Sequence, residues 1–146
     1  MPTPRLAETD ADLQRCFPVM HQLRPHLAAD GFVARIRGME REGFRLALLE
    51  DDAGTVRAVA GFRVQDMLAH GRTLYVDDLV TDDQARSRGH GATLLRWLVA
   101  RAQAAGCHQF SLDSGTHRRD AHRFYFRERM HIASYHFALP LAPPPA

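Results

Sequence analysis

The sequence predicts a single α/β domain built on a mixed, mostly antiparallel sheet with helices on both faces. Three observations point to it. Apolar residues recur at helical spacing in four stretches, and runs rich in Val, Leu and Phe, bounded by turn residues, fall between them. Their order is strand, two helices, three strands joined by short turns, helix, strand, helix, strand. Short turns join antiparallel neighbours, whereas a strand–helix–strand unit makes its two strands parallel. At 146 residues, 45% hydrophobic and 25% charged, the chain is long enough for one domain with a core and too short for two ordinary ones.

The elements follow in chain order. Residues 5–7 give a short first strand, with Thr9 or Asp10 placed to cap the next helix. From Ala11, the positions Leu13, Cys16, Phe17, Met20 and Leu23 keep helical spacing; Pro18 should kink this helix or shift its boundaries, and Pro25 end it. Residues 28–42 form a second helix with Phe32, Val33, Ile36 and Met39 on one side and Gly43 as its stop. Residues 44–50 and 56–64 read as a hairpin about the turn residues 51–54. A polar connection over 65–71 leads to a third antiparallel strand at 74–81. After a polar loop, 82–88, a helix over 89–105 carries Leu94, Leu95, Leu98 and Ala102 as its core stripe and ends at Gly106. Residues 109–113 form the next strand, parallel to 74–81. Residues 118–129 form a helix with Ala121, Phe124, Tyr125 and Glu128 on one face, and residues 132–139 a last strand. The domain spans residues 1–139, and the tail 140–146, with four prolines, is extended or disordered.

Composition excludes several classes. The formal net charge is only +2, so it does not point to nucleic acid. Every one of the 19 basic residues is arginine, so a phosphate partner would be held by planar guanidinium forks. Cys16 and Cys107 match no metal or redox spacing and read as reduced thiols. His117, His122, His131 and His136 lack a tight ligand motif, so no metal is expected. The N-terminus has no apolar core of a signal peptide and no run is long enough to span a membrane, so a cytoplasmic protein is expected.

The stretch over residues 74–105 carries the chemistry. The loop after the strand delivers Arg86 and Arg88 to a helix start marked by Gly89 and Gly91. A helix N-terminus has free backbone N–H groups and the positive end of the helix dipole. Glycines there let an anion approach those groups, which suggests a phosphate-bearing ligand. No P-loop ending and no GxGxxG directly after a strand is present.

Arg86-Ser87-Arg88-Gly89-His90-Gly91-Ala92 resembles the R/Q-x-x-G-x-G/A signature of the GNAT acetyltransferase superfamily, and Ala121-His122-Arg123-Phe124-Tyr125 resembles that family's A-x-x-F/L-Y segment. The element order matches as well. The resemblance implies a sheet with a splayed pair of parallel strands and acetyl-CoA as co-substrate. Backbone groups of Arg86, Ser87, Arg88, Gly89, His90, Gly91 and Ala92 would hold its pyrophosphate, with Arg86 and Arg88 adding charge. Leu79, Val80 and Thr81 would pair through their backbones with the pantetheine arm and thioester. Tyr125 would be the general acid that reprotonates the leaving CoA thiolate, a role its ordinary pKa of about 10 permits.

The proton acceptor is open between Asp77, Asp78 and a water chain, with Asp78 preferred. By strict alternation Asp78 shares a face with Leu74, Val76 and Val80, and Asp77 with Tyr75 and Leu79. Two departures stand out: Arg118 occupies the position where many members have a pantetheine-contacting Asn, and Arg129-Met130 replaces the usual Gly-Phe after the tyrosine. The expected activity is transfer of an acetyl group from acetyl-CoA to a primary amine by direct attack in a ternary complex. The turns at 51–54 and 65–71 and the helix over 28–42 would shape the acceptor side. Alternatives are a CoA-binding regulatory module with little or no turnover and a basic nucleic-acid-binding domain. Acetyl-CoA and an amine are the expected partners, with no nucleic acid and no membrane; the sequence allows a homodimer.

Overall fold

A computed structural model describes residues 2–146 of the chain. Its elements are β1 (Arg5–Leu6), α1 (Asp10–Leu23), α2 (Phe32–Glu40), β2 (Phe44–Glu50), β3 (Val56–Met67), β4 (Gly71–Thr81), α3 (His90–Ala104), β5 (Gln109–Leu112) and α4 (Arg119–Arg127). The five strands lie in sequence order, antiparallel except for the parallel pair β4–β5. The mixed α/β sheet with one parallel pair is therefore as the sequence predicts.

Thr9 caps α1 reciprocally: its hydroxyl accepts from the Asp12 N–H, and Asp12 reaches back to the Thr9 N–H. The helix runs through Pro18, which removes one hydrogen bond, and stops at Leu23 before Pro25. From α1 and α2, Leu13, Cys16, Val19, Met20, Phe32 and Ile36 pack on Phe44, Leu46, Leu48, Val59 and Val80 of the sheet. On the opposite face Leu94, Leu98 and Ala102 of α3 meet Ala47, Leu49, Ala58, Ala60, Phe62, Leu74 and Val76. Each fully buried Leu or Phe stabilises the fold by about 1.5–3 kcal/mol, so the two layers hold the sheet from both sides. Burial pushes the Cys16 thiol up to about 12, which makes it an inert core residue.

Four expectations change. The connection expected over 65–71 is mostly strand: β3 continues to Met67 and β4 begins at Gly71, leaving a three-residue turn. The second helix is shorter than 28–42, because Gly31 adopts a left-handed conformation (φ 82°) and starts it at Phe32. The strand expected at 132–139 is absent: among the described residues the segment joins no ladder, and every residue from 131 to 146 is exposed.

The fourth correction concerns β4. Its register against β3 slips between Gly61↔Asp78 and Phe62↔Val76, so Asp77 is an unpaired bulge residue. A bulge breaks the two-residue alternation. Leu74 and Val76 accordingly face α3, while Val80 faces α1 and α2. Asp78 points with Val80 toward α1, where Arg24 meets it, and does not share a face with Leu74 and Val76. Gly61 opposite is needed here, since a Cβ would stand 2.5 Å from Phe44 and 2.7 Å from the Asp78 carboxylate.

Candidate active site

The parallel pair opens into a cleft. β5 pairs with β4 only from Thr73 to Val76, and among the described residues β4 runs on through Thr81 with β3 alone as its neighbour. Leu79, Val80 and Thr81 thus present one unpaired backbone edge. A tyrosine clip closes the paired end: the Tyr75 hydroxyl donates to Asp113 just beyond β5 (2.6 Å).

The loop at the other end of β4 is built to a fixed shape. Asp82 is buried and accepts hydrogen bonds from Gln22 (3.1 Å), Arg57 (2.8 Å) and the Gln84 N–H (3.2 Å). Burial works against its charge, yet these donors outweigh burial and hold its carboxyl below the usual range. Gln22 of α1 also accepts from the Asp83 N–H (2.9 Å). A 3-10 turn, Asp83–Ala85, follows, with Ala85 fully buried. Arg86 is then extended, and Ser87 (φ 66°) and Gly89 (φ 82°) are left-handed. Two left-handed residues within three positions turn the chain sharply into α3.

Gly89 caps α3 without a side-chain bond, and the first helical hydrogen bond runs from Thr93 N–H to the Gly89 carbonyl (3.0 Å). Among the described residues, the N–H groups of His90, Gly91 and Ala92 therefore have no intrahelical acceptor and are available to an anion. The two glycines do different work. Gly89 supplies the left-handed turn, and a Cβ there would meet nothing. Gly91 supplies room, because a Cβ would stand 3.0 Å from the Thr81 hydroxyl.

These parts line one cleft of about 930 Å³. It gathers Leu79, Val80 and Thr81, the loop residues Arg86, Ser87, Gly89, His90, Gly91 and Ala92, and Tyr125 from α4. Arg88 is not part of its lining. Arg118 is, on the side of Tyr125: burial raises the Tyr125 phenol above its ordinary value, and the Arg118 charge opposes that rise. At neutral pH the phenol keeps its proton and can donate it. Arg96 of α3 and Glu128 beyond α4 form a two-pronged ion pair (2.9 and 3.1 Å) that ties the two helices together at the cleft. Arg86, Arg118, Arg119 and Arg127 line the same cleft with no carboxylate partner among the described residues, so it is strongly positive.

The two candidate proton acceptors, Asp77 and Asp78, stand apart from this lining. Asp77 has both oxygens on Arg63 (2.8 and 3.0 Å). Asp78 accepts from Arg24 through one oxygen (2.8 Å), and burial, only partly opposed by Arg24, raises its pKa. Neither lines the cleft, nor do the turn at 51–54, the 65–71 stretch or the helix over 28–42.

The sequence signalled the loop and Tyr125 by motif, but not the supports: Gln22 and Arg57 under Asp82, Arg24 over Asp78, and the Arg96–Glu128 tie. These lie 25 to 61 positions from their partners, and no local pattern marks them.

The family model for the acetyltransferase (GNAT) family matches residues 6–131. The chain belongs to the GNAT acetyltransferase family. It is 36% identical over 128 residues to the uncharacterized N-acetyltransferase YhdJ of Bacillus subtilis, covering 86% of this chain and 89% of that one. It is 30% identical over 123 residues to the aminoalkylphosphonate N-acetyltransferase of Salmonella typhimurium, covering 84% and 77%. Among solved structures, AAC(6')-Iy in complex with the bisubstrate analog CoA-S-monomethyl-acetylneamine superposes with a TM-score of 0.82 at 12% identity, covering 98% and 99% of the two chains. GNAT membership accounts for the splayed parallel pair and makes acetyl-CoA the acyl donor that fits the cleft. The free N–H groups at α3 and the unpaired arginines suit a pyrophosphate, and the open β4 edge suits an amide-bearing arm.

Proposed function

We propose that the protein is an N-acetyltransferase that moves the acetyl group of acetyl-CoA directly to a primary amine within a ternary complex. The observation that carries this reading is the convergence in one cleft of the α3 N-terminus, the unpaired Leu79–Val80–Thr81 edge and the Tyr125 phenol. In this reading the N–H groups of His90, Gly91 and Ala92, with Arg86, hold the pyrophosphate. The backbone of Leu79, Val80 and Thr81 aligns the thioester. The amine nitrogen attacks the acetyl carbon, the C–S bond breaks, and Tyr125 gives its proton to the CoA sulfur.

The amine must lose a proton. Asp78 is the acceptor we assign, because one of its oxygens has no hydrogen-bond donor among the described residues whereas Asp77 is fully engaged by Arg63. Since Asp78 does not line the cleft, water relays the proton to it. An amine that also carries a phosphonate suits a cleft with several unpaired arginines, and the Salmonella relative bears the name of such a substrate.

The test begins with thermal denaturation in the presence of acetyl-CoA and of CoA, followed by thiol release over a library of amines that includes aminoalkylphosphonates. Stabilisation by both and thiol release with at least one amine are expected. No stabilisation at millimolar acetyl-CoA overturns the cofactor assignment; stabilisation without thiol release for any amine favours the regulatory CoA-binding module.

A further inference from the structure

The proposed step makes Tyr125 an acid, and its surroundings make it a weak one. A thiol ionises near pH 8.5 and a tyrosine phenol near pH 10, so passing a proton from phenol to thiolate is about thirtyfold uphill even in water. Burial raises the Tyr125 phenol further. The transfer also leaves a phenolate at a half-buried position, where a charge without a partner is costly. A cation beside the ring answers both difficulties.

Arg118 is placed to be that cation. It caps α4 two turns before Tyr125, and both residues line the cleft. Long side chains on a helix lean toward its N-terminus, so the Tyr125 ring leans toward the Arg118 end. A separation of about 10 Å along the axis is within the combined reach of the two side chains. The backbone at Arg118 is held on both sides: its N–H donates to the Gly115 carbonyl (3.0 Å), and its carbonyl accepts from the His122 N–H (3.1 Å). The Gly115 carbonyl also meets the His122 ring (2.8 Å), and a Cβ at Gly115 would stand 2.7 Å from His117. The turn is thereby fixed, while the guanidinium has no carboxylate partner among the described residues.

The other charges around the phenol are paired or do not act on it. On α4, Asp120 pairs with Arg123 (2.9 Å), and Glu128 beyond it pairs with Arg96 of α3. On β4, Asp77 and Asp78 are held by Arg63 and Arg24. His90, His117, Arg86, Arg119 and Arg127 share the cleft, yet among the described residues Arg118 is the one charge that acts on the phenol.

We propose that Arg118 is the positioning residue for the acid step: its guanidinium faces the Tyr125 phenol, readies its proton for the CoA sulfur, and balances the phenolate that remains. The phenol O–H bond breaks as the S–H bond forms, and the phenolate then regains from water the proton that the amine gave up. The inference rests on the acetyl-transfer reading, and goes beyond it by giving Arg118 work other than holding phosphate.

The test places difluorotyrosine, whose phenol is a stronger acid than that of tyrosine, at position 125 and follows its ionisation by fluorine NMR. In Arg118→Gln, which keeps both backbone bonds, the phenol should become an about tenfold weaker acid, and Arg118→Lys should restore most of its strength. With tyrosine at 125, Arg118→Gln should lower kcat about tenfold, and difluorotyrosine at 125 should recover most of that loss. A residue that only grips CoA would raise KM alone. An unchanged fluorine titration, or a kcat within about twofold of the parent, overturns the proposal. Thiol release by the parent is read first: its absence refutes the acetyl-transfer reading and the acid role with it, whereas thiol release with an unchanged titration refutes the role of Arg118 alone.

Discussion

Gly89 and Gly91 look alike in the sequence, and the structure predicts that changing each to alanine fails differently. At Gly89 (φ 82°) an added Cβ meets no atom within 4 Å, so the whole cost of Gly89→Ala is left-handed backbone strain. That strain is about 1–2 kcal/mol. In a chain of this size it lowers Tm by roughly 3–8 °C. At Gly91 the backbone carries no such strain, and alanine gains up to about 1 kcal/mol of helix propensity. Against this, its Cβ stands 3.0 Å from the Thr81 hydroxyl and 3.8 Å from Phe124, a tight contact of the kind that costs about 1–3 kcal/mol when it cannot relax. The opposing effects leave a net loss of about 0–2 kcal/mol, so Tm falls by anything up to roughly 8 °C and does not by itself separate the two variants. The new methyl, however, sits between β4 and the N–H groups assigned to the pyrophosphate, so acetyl-CoA affinity should fall at least about tenfold, or about 1.4 kcal/mol. Calorimetric melting and titration with acetyl-CoA separate the two effects. In a Thr81→Ala background the steric part should vanish and Gly91→Ala should raise Tm. Equal losses of Tm for both variants in both backgrounds, or unchanged acetyl-CoA binding by Gly91→Ala, would refute the division of labour.

Three further outcomes follow from the site. Tyr125→Phe keeps the ring against Phe124, 5.3 Å away, and removes only the proton donor; kcat should drop by about 10²–10⁴-fold with KM for acetyl-CoA little changed, and a drop under about threefold excludes the assigned role. Asp78 has a pKa raised by burial, so if it takes the amine proton the acid limb of kcat/KM should lie above the ordinary carboxylate range, and Asp78→Asn should abolish that limb. A limb that survives in the variant belongs to another group. Asp82 is held below its unfolded pKa, so the stability it contributes is present above about pH 4 and is lost as pH falls through the folded value. Acid titration of Tm should show a shallower decline for Asp82→Asn than for the parent, and parallel curves would contradict the linkage.

The fold was legible because its signals are local. Thr9 and Asp12 cap a helix within four residues of each other, Gly106 follows the end of α3, and the strand–helix–strand order makes β4 and β5 parallel before any contact is known. The loop and Tyr125 were legible because their motifs are short. What resisted reading was non-local. The unpaired Asp77 is specified by Gly61, sixteen positions earlier, which admits the Asp78 carboxylate and the Phe44 ring. A reader counting by twos cannot see that slip, and every face assignment across it inverts. The segment 132–139 alternates like a strand, but alternation does not supply a partner, and among the described residues it joins no ladder.

The arginine-only chemistry of the chain has a further consequence. A thioester is an acylating agent toward any neutral amine held beside it, and lysine side chains lining such a site become targets. Here the cations at the cleft, Arg86, Arg96, Arg118, Arg119, Arg123 and Arg127, are guanidinium groups rather than amines, and the sequence contains no lysine anywhere. The protein can crowd positive charge around its donor without offering a side-chain amine of its own. An acetylated side-chain amine recovered from a reaction mixture would therefore belong to something else, which makes this chain a clean tool for finding its acceptor.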